Sequence, residues 1–241
     1  MKTSISDVVN NKDWTFGICC SGQLYLSKII ESIRNLQIPK YEILLIGSDD
    51  VICDFQSADV RPITFDESQR RAWTTRKKNI LCEEAMFDNI SILHDYFSFD
   101  SNWYKNFLEF DTDWNVCMNR LENMDGTRYR DWVTWGQPIQ WVDYKDETQT
   151  GNMYVSGGYW CAKKKFMLDN PLDETRSWGG SEDVEWSLRV RENDSWKYKC
   201  NWKSKNILLK HKIAGPGGYW CRLEDDPCKD WYEQWRNHEI N

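Results

Sequence analysis

The sequence has no apolar run approaching the roughly 20 residues that cross a bilayer, and Met1 to Asp13 is polar, without the apolar centre of a secretory leader. Both absences lead to the expectation of a soluble, cytoplasmic protein. An excess of positive charge is lacking too: 31 Lys and Arg stand against 38 Asp and Glu, a net charge of −7. Nucleic-acid binders concentrate basic residues on one face, so nucleic acid is not an expected partner. Any phosphate bound here must meet a local cluster of cations or a metal. Cysteine is present nine times, an odd number, and Cys19 and Cys20 lie inside an apolar run, which fits reduced, buried thiols better than a disulfide scaffold. Cys221 and Cys228 have no second cysteine or histidine pair at zinc-site spacing. Internal repeats and long low-complexity linkers are missing as well, and residues 1–241 read as one domain.

What is abundant is tryptophan, with 15 residues. Most should pack in the core, but Trp132, Trp135, Trp141, Trp178 and Trp220 lie in polar surroundings, where a ring with one donor suits stacking on sugars.

Thr15 to Cys20 is a short apolar run of strand type, and Leu26, Ile29, Ile30, Ile33 and Leu36 recur at helical spacing before Pro39. Tyr41 to Ile46 reads as a second buried strand, left through the loop Gly47-Ser48-Asp49-Asp50. A third strand over Val60 to Phe65, a helix over Thr75 to Met86 and a fourth strand over Asn89 to Leu93 continue the alternation. Such alternation predicts an α/β fold, a sheet flanked by helices with its ligands beyond the carboxyl ends of the strands. From Asn102 to Thr150 the pattern loosens into a short helix, a hairpin turning at Asp125-Gly126, and a Trp-rich stretch. Periodicity returns over Met153 to Ala162, in a helix opening near Ser181, and in a short strand over Ile207 to Leu209. The first strand is not followed by a dinucleotide-binding glycine fingerprint, which disfavours a dehydrogenase.

Three polar features recur at predicted strand ends or beside them: Asp49-Asp50, the run Arg76-Lys77-Lys78-Asn79, and His94-Asp95. A nucleoside diphosphate needs an acceptor for base or ribose, cations for its phosphates and commonly a divalent ion held by few carboxylates. Each need has a candidate on the same sheet edge. Singly, these residues also suit turns and a solvated helix face.

Over residues 14 to 213 the order of GICCSGQ, GSDD, RKKN, NISILHDY, GGYWCAKKKF, WGGSEDVEWSLR and LLKHK resembles the GT-A fold glycosyltransferases, particularly the inverting family 2 and galactosyltransferase-like branches. The resemblance implies a mixed, mostly parallel central sheet, with a nucleotide-binding half over about 14–100, an acceptor-side half over about 101–213 and a tail over 214–241. It implies a nucleotide-diphosphate sugar donor, UDP-linked by expectation, and a carbohydrate or glycan acceptor. Asp49 or Asp50 would meet the nucleoside, and Arg76, Lys78 and Asn79 the base and phosphates. His94-Asp95-Tyr96 stands where such enzymes carry Asp-x-Asp, so the Mn2+ or Mg2+ would fall to Asp95, completed by the late His211, with His94 as its competitor beside the donor. Imidazole favours Mn2+ over Mg2+.

In Trp178-Gly179-Gly180-Ser181-Glu182-Asp183 the glycines would let backbone and sugar approach closely, Ser181 would cap the next helix, and the two acids fall in its first turn. Acids there also serve the helix dipole alone. By the resemblance Asp183 is the base and Glu182 the neighbour that holds the acceptor hydroxyl. An inverting transfer is one direct displacement, with a carboxylate taking the proton of the attacking hydroxyl. Two readings compete. A catalytically silent sugar-binding module would use the same scaffold and its tryptophans, and a nucleotidyltransferase would need a Gly-rich, basic loop after the first strand, where CCSGQLYL has no Lys or Arg before Lys28.

Overall fold

The computed structural model describes residues 11–70, 72–134, 140–192 and 196–212. The readings made for Met1 to Asn10, Trp135, Trp220, Cys221, Cys228 and the tail 214–241 fall outside the described residues.

Eight strands form one sheet, in the order β3-β2-β1-β4-β7-β6-β8-β5. β1 (Trp14–Cys19), β2 (Tyr41–Gly47), β3 (Val60–Thr64) and β4 (Asn89–His94) are mutually parallel. The near-continuous apolar runs of β1, β2 and β4 follow from burial on both faces, and every residue of β1 is buried. The connecting helices α1 (Leu26–Arg34), α2 (Asp49–Ile52) and α3 (Thr74–Glu84) make the crossovers. α1 buries Leu26, Ile29, Ile30 and Ile33, the stripe that its spacing predicts.

β1 sits between β2 and β4, so the strand order reverses between β1 and β4. Such a reversal opens a crevice at the carboxyl ends of the two strands. Beyond it the sheet is mixed. β7 (Tyr159–Lys163) runs antiparallel to β4 and to β6 (Val116–Asn123), β8 (Tyr198–Leu208) runs parallel to β6, and β5 (Phe97–Phe99) closes the edge antiparallel to β8. Three short or medium helices complete the described elements: α4 (Trp103–Leu108), α5 (Lys164–Asp169) and α6 (Glu182–Arg191).

Three local readings are corrected. Asp49 and Asp50 open the short helix α2 rather than sit in a loop. β5 was not foreseen, being only three residues long. β8 starts at Tyr198, nine residues before the expected Ile207 strand, because its polar residues are buried with partners: Asn201 Nδ2 donates to Ser204 Oγ at 2.9 Å, and Ser204 Oγ to the Trp103 carbonyl at 2.8 Å. A strand whose inward positions are Asn and Ser has no apolar alternation to read.

The tryptophans mostly build the core. Trp14, Trp103, Trp114, Trp160 and Trp186 are fully buried, and Trp14 meets Trp103 and Phe107 edge-on, with centroids 4.7 Å apart in each pair. Trp132, a candidate for sugar stacking, is buried as well: its ring lies 4.8 Å from that of Tyr198 and its Nε1 donates to the Asp146 carbonyl at 3.0 Å. The seven described cysteines are free thiols, all buried except Cys53.

Candidate functional site

The loops leaving β1 and β4 meet at the reversal. Asp95, the first residue after β4, accepts on Oδ2 from Ser21 N at 2.5 Å, Ser21 Oγ at 2.8 Å and Gly22 N at 2.9 Å. One buried carboxylate thus fixes the turn after β1 against the end of β4. On the same edge Gln23 Nε2 donates to the Asp50 carbonyl at 2.8 Å, tying that turn to α2, while the Asp49 and Asp50 side chains face solvent.

A second layer comes from the glycine pair Gly157-Gly158 ahead of β7. Gly157 N donates to Asp183 Oδ2 at 2.8 Å, and the Gly157 carbonyl accepts from Lys78 Nζ at 2.7 Å. Lys78 is fully buried; its ammonium also lies 3.3 Å from Glu182 Oε1 and 4.8 Å from the centre of the Trp160 ring. Gly158 leaves room for an aromatic pair, since a β-carbon there would lie 2.8 Å from Tyr96 Oη and 2.9 Å from the Phe97 ring. Tyr96, which follows Asp95, therefore lies over this shelf.

The two acids at the start of α6 have different surroundings. Glu182 faces an ammonium. Asp183 faces backbone N–H groups, of Gly157 and, on Oδ1, of Val184 at 2.9 Å. Burial first, and the neighbouring Glu182 second, raise the Asp183 carboxyl well above the ordinary aspartate range, with Lys78 pulling the other way. The two neighbouring acids thus sit in different surroundings, one paired with a cation and the other held by backbone N–H groups.

The end of β4 lies among charges of both signs, with Lys77, Lys78 and Lys212 on one side and Asp95, Glu182 and Asp183 on the other. Burial and then Lys78, Lys212 and Lys77 hold the His94 imidazole well below its ordinary pKa, so it is neutral. Tyr96 is pushed well above the phenol range, mainly by burial, with Tyr129, Asp95, Glu182 and Asp183 adding to the effect. These mutual influences place His94, Asp95, Tyr96, Lys78, Glu182 and Asp183 in one neighbourhood.

Other expected site residues have structural partners. Arg76 Nη1 bonds Glu83 at 3.1 Å and Glu174 at 3.0 Å. Asn79 bonds Leu172 through both ends of its amide, 3.0 Å each, and Glu174 Oε1 at 2.9 Å. Together with Thr75 Oγ1 on the Arg176 carbonyl at 2.7 Å, they fasten the segment before α6 onto α3. Trp178 is 55% exposed, and its N–H donates to the Ala72 carbonyl at 3.0 Å. Gly179 has φ +82°, and Gly180 N closes a turn onto the Ser177 carbonyl at 2.9 Å, so the turn itself uses both glycines. Ser181 does not cap α6 through its side chain; it takes left-handed backbone geometry at φ 49°.

The architecture is a known one. It superposes on the crystal structure of GalNAc-T7 with UDP, GalNAc and Mn2+ with a TM-score of 0.65 at 14% sequence identity, covering 94% of this chain and 50% of that one. The fold is that of the GT-A glycosyltransferases. This chain spans half the length of the GalNAc-T7 chain it matches. No protein-family model and no curated protein matches the sequence.

The GT-A fold raises the question of a divalent ion at the end of β4. The described residues contain no group of three His, Cys, Asp or Glu side chains arranged to hold one. Asp95 spends one oxygen on Ser21 and Gly22, and the exposed His211 turns its Nδ1 to Asp125 Oδ2 at 3.7 Å. Asp95 and His211 thus each have another partner. With Asp95 Oδ2 taken by three donors, Glu182 paired with Lys78 and the Lys212 ammonium close by, the described residues here fit a divalent ion poorly.

Sequence reasoning quoted Gly157, Gly158, Tyr96 and Lys212 only within the motifs GGYWCAKKKF, NISILHDY and LLKHK and gave them no role. A Gly-Gly pair directly before an apolar strand was a readable signal of close approach.

Proposed function

We propose that this chain is a glycosyltransferase that moves a sugar from a nucleoside-diphosphate sugar, UDP-linked in the first instance, to a hydroxyl of a carbohydrate acceptor. The observation that carries the reading is the buried Asp183 carboxyl, suspended from Gly157 N at 2.8 Å beside the Lys78–Glu182 pair, at the carboxyl edge of a GT-A sheet. The crystal neighbour that was solved with UDP and GalNAc supports the choice of donor class.

In this reading the acceptor oxygen attacks the anomeric carbon, its proton passes to the Asp183 carboxylate, and the bond from that carbon to the diphosphate breaks with its electron pair leaving on the diphosphate. One displacement with one base inverts the anomeric centre. Burial suits Asp183 to the task, because its raised pKa makes it a stronger base than a solvated aspartate. Glu182, oriented by Lys78, receives the acceptor hydroxyl. In the same reading the exposed Asp49 and Asp50 would meet the nucleoside, and Trp178, whose ring is also exposed, would stack on the donor sugar.

The test is release of nucleoside diphosphate from a panel of nucleotide sugars, with and without a mixed glycan acceptor pool, read with the Asp183→Asn protein alongside. Release that depends on Asp183 supports the assignment. Tight donor binding with neither transfer nor hydrolysis would instead identify a silent sugar-binding module.

A further inference from the structure

Lys212 has no role in the account so far, yet it is the cation most closely built into the end of β4. Its backbone is gripped by one amide: Lys212 N donates to Asn123 Oδ1 and Asn123 Nδ2 donates to the Lys212 carbonyl, each at 2.8 Å. That grip directs the side chain inward while His211 turns out to solvent. The ammonium donates to Tyr96 Oη at 2.6 Å, and lies 4.1 Å from the Tyr96 ring centre and 5.9 Å from that of Tyr129.

Among the described residues no carboxylate forms an ion pair with Lys212. Its charged neighbours are Lys210 and Arg130, with Asp95 opposing them. A half-buried ammonium beside other cations is costly, and two aromatic faces repay part of that cost. An anion arriving at the end of β4 would repay the rest. The same ammonium acts on His94, together with Lys78 and Lys77, so three lysines from two distant parts of the chain converge there, in a protein whose net charge is −7.

We propose that the Lys212 ammonium binds the diphosphate of the donor and takes up the charge of the leaving group, so that donor binding by this chain is independent of divalent metal. The inference rests on the nucleotide-sugar reading above. As the bond from the anomeric carbon to the diphosphate breaks, the electron pair stays on the departing oxygen and the ammonium hydrogen-bonds to it. A fixed cation already in place serves the purpose a metal otherwise serves, without a ligand set.

The experiment is calorimetric titration of the full chain with UDP, GDP, CDP and ADP, each in EDTA and in MnCl2, repeated with Lys212→Met, Lys212→Arg and Tyr96→Phe. The expected result is one diphosphate whose Kd changes less than about threefold between the two buffers. Lys212→Met should weaken it at least tenfold, Lys212→Arg should retain most of the affinity, and Tyr96→Phe should cost only a few-fold, since the ammonium remains. Mn2+ should restore binding to none of the variants. A loss of fold in Lys212→Met would show in its melting curve and leaves the EDTA comparison in the native protein as the deciding measurement. Binding that needs Mn2+, or Lys212→Met binding as tightly as the native protein, overturns the proposal while the transferase reading stands. Failure of all four diphosphates in both buffers overturns the nucleotide-sugar reading itself, and this inference with it.

Discussion

Gly157 and Asp183 are fitted to one another. The Gly157 N–H donates to Asp183 Oδ2 at 2.8 Å, and a β-carbon on Gly157 would stand 2.8 Å from that same oxygen. Gly157→Ala keeps the donor but pushes the carboxylate from its place. Turnover should fall at least about tenfold with donor affinity little changed, because misplacement by about 1 Å is costly to reacting groups. Steady-state kinetics beside UDP titration of the same protein checks this.

Asp183→Asn removes the proton acceptor at nearly constant shape. The expected loss in turnover is at least about a hundredfold. Asn can accept only one of the two N–H groups that Asp183 now receives, from Gly157 and Val184, so a stability cost of about 1 kcal/mol should accompany it near pH 4, measurable by denaturant unfolding.

The raised pKa of Asp183 has a definite sign. Its carboxyl holds a proton more tightly folded than unfolded, so native stability is undiminished below the ordinary aspartate pKa of about 3.9 and declines as pH rises from there through the folded value. Asp183→Asn should escape that decline, and its melting temperature should gain on the native protein as pH increases across the window. Activity runs the opposite way, with the acid limb of kcat lying above the range of an ordinary aspartate. A limb near pH 4 would contradict the assignment.

Lys78 and Glu182 are both buried, their charged atoms 3.3 Å apart. Lys78→Met leaves an acid in the interior without its cation, a change that typically costs about 3–5 kcal/mol. The double variant Lys78→Met with Glu182→Gln should recover part of that loss. Urea unfolding of the four proteins of the cycle gives the coupling directly.

Asn79→Ala separates support from donor contact. Asn79 is buried and makes three hydrogen bonds to Leu172 and Glu174, so the variant should lose roughly 1–3 kcal/mol of stability while the Michaelis constant for donor stays near native. A raised Michaelis constant with unchanged stability would return Asn79 to the donor.

The first half of the fold was readable because β1, β2 and β4 are buried on both faces and α1 carries its apolar residues at helical spacing. The second half was harder. β8 keeps Asn201, Ser204 and Asn206 inside by pairing them, and pairing leaves no mark in a hydrophobic pattern. At the site, the acidic pair after Trp-Gly-Gly, Asp95 and Lys78 do come together, whereas Arg76 and Asn79, two and one positions from Lys78, fasten a loop instead. A helix distributes neighbours around its axis, and which face meets the ligand is a matter of packing. His211 and Lys212 show the same limit: Asn123, 89 residues earlier, decides which of them turns inward.

The contact between Lys78 and Glu182 spans 104 residues of chain. At ordinary rates of synthesis the lysine is made roughly 5 to 20 seconds before its acid. For that interval a helix bearing Lys77 and Lys78 exists without the acidic turn that will cover it, and the nascent first half is left to manage an unmatched cation. The proposed base, Asp183, also arrives only with that second half. On the proposed assignment, a stalled or truncated chain would hold the first four strands without the base, so partial translation products should be inert toward donor sugars.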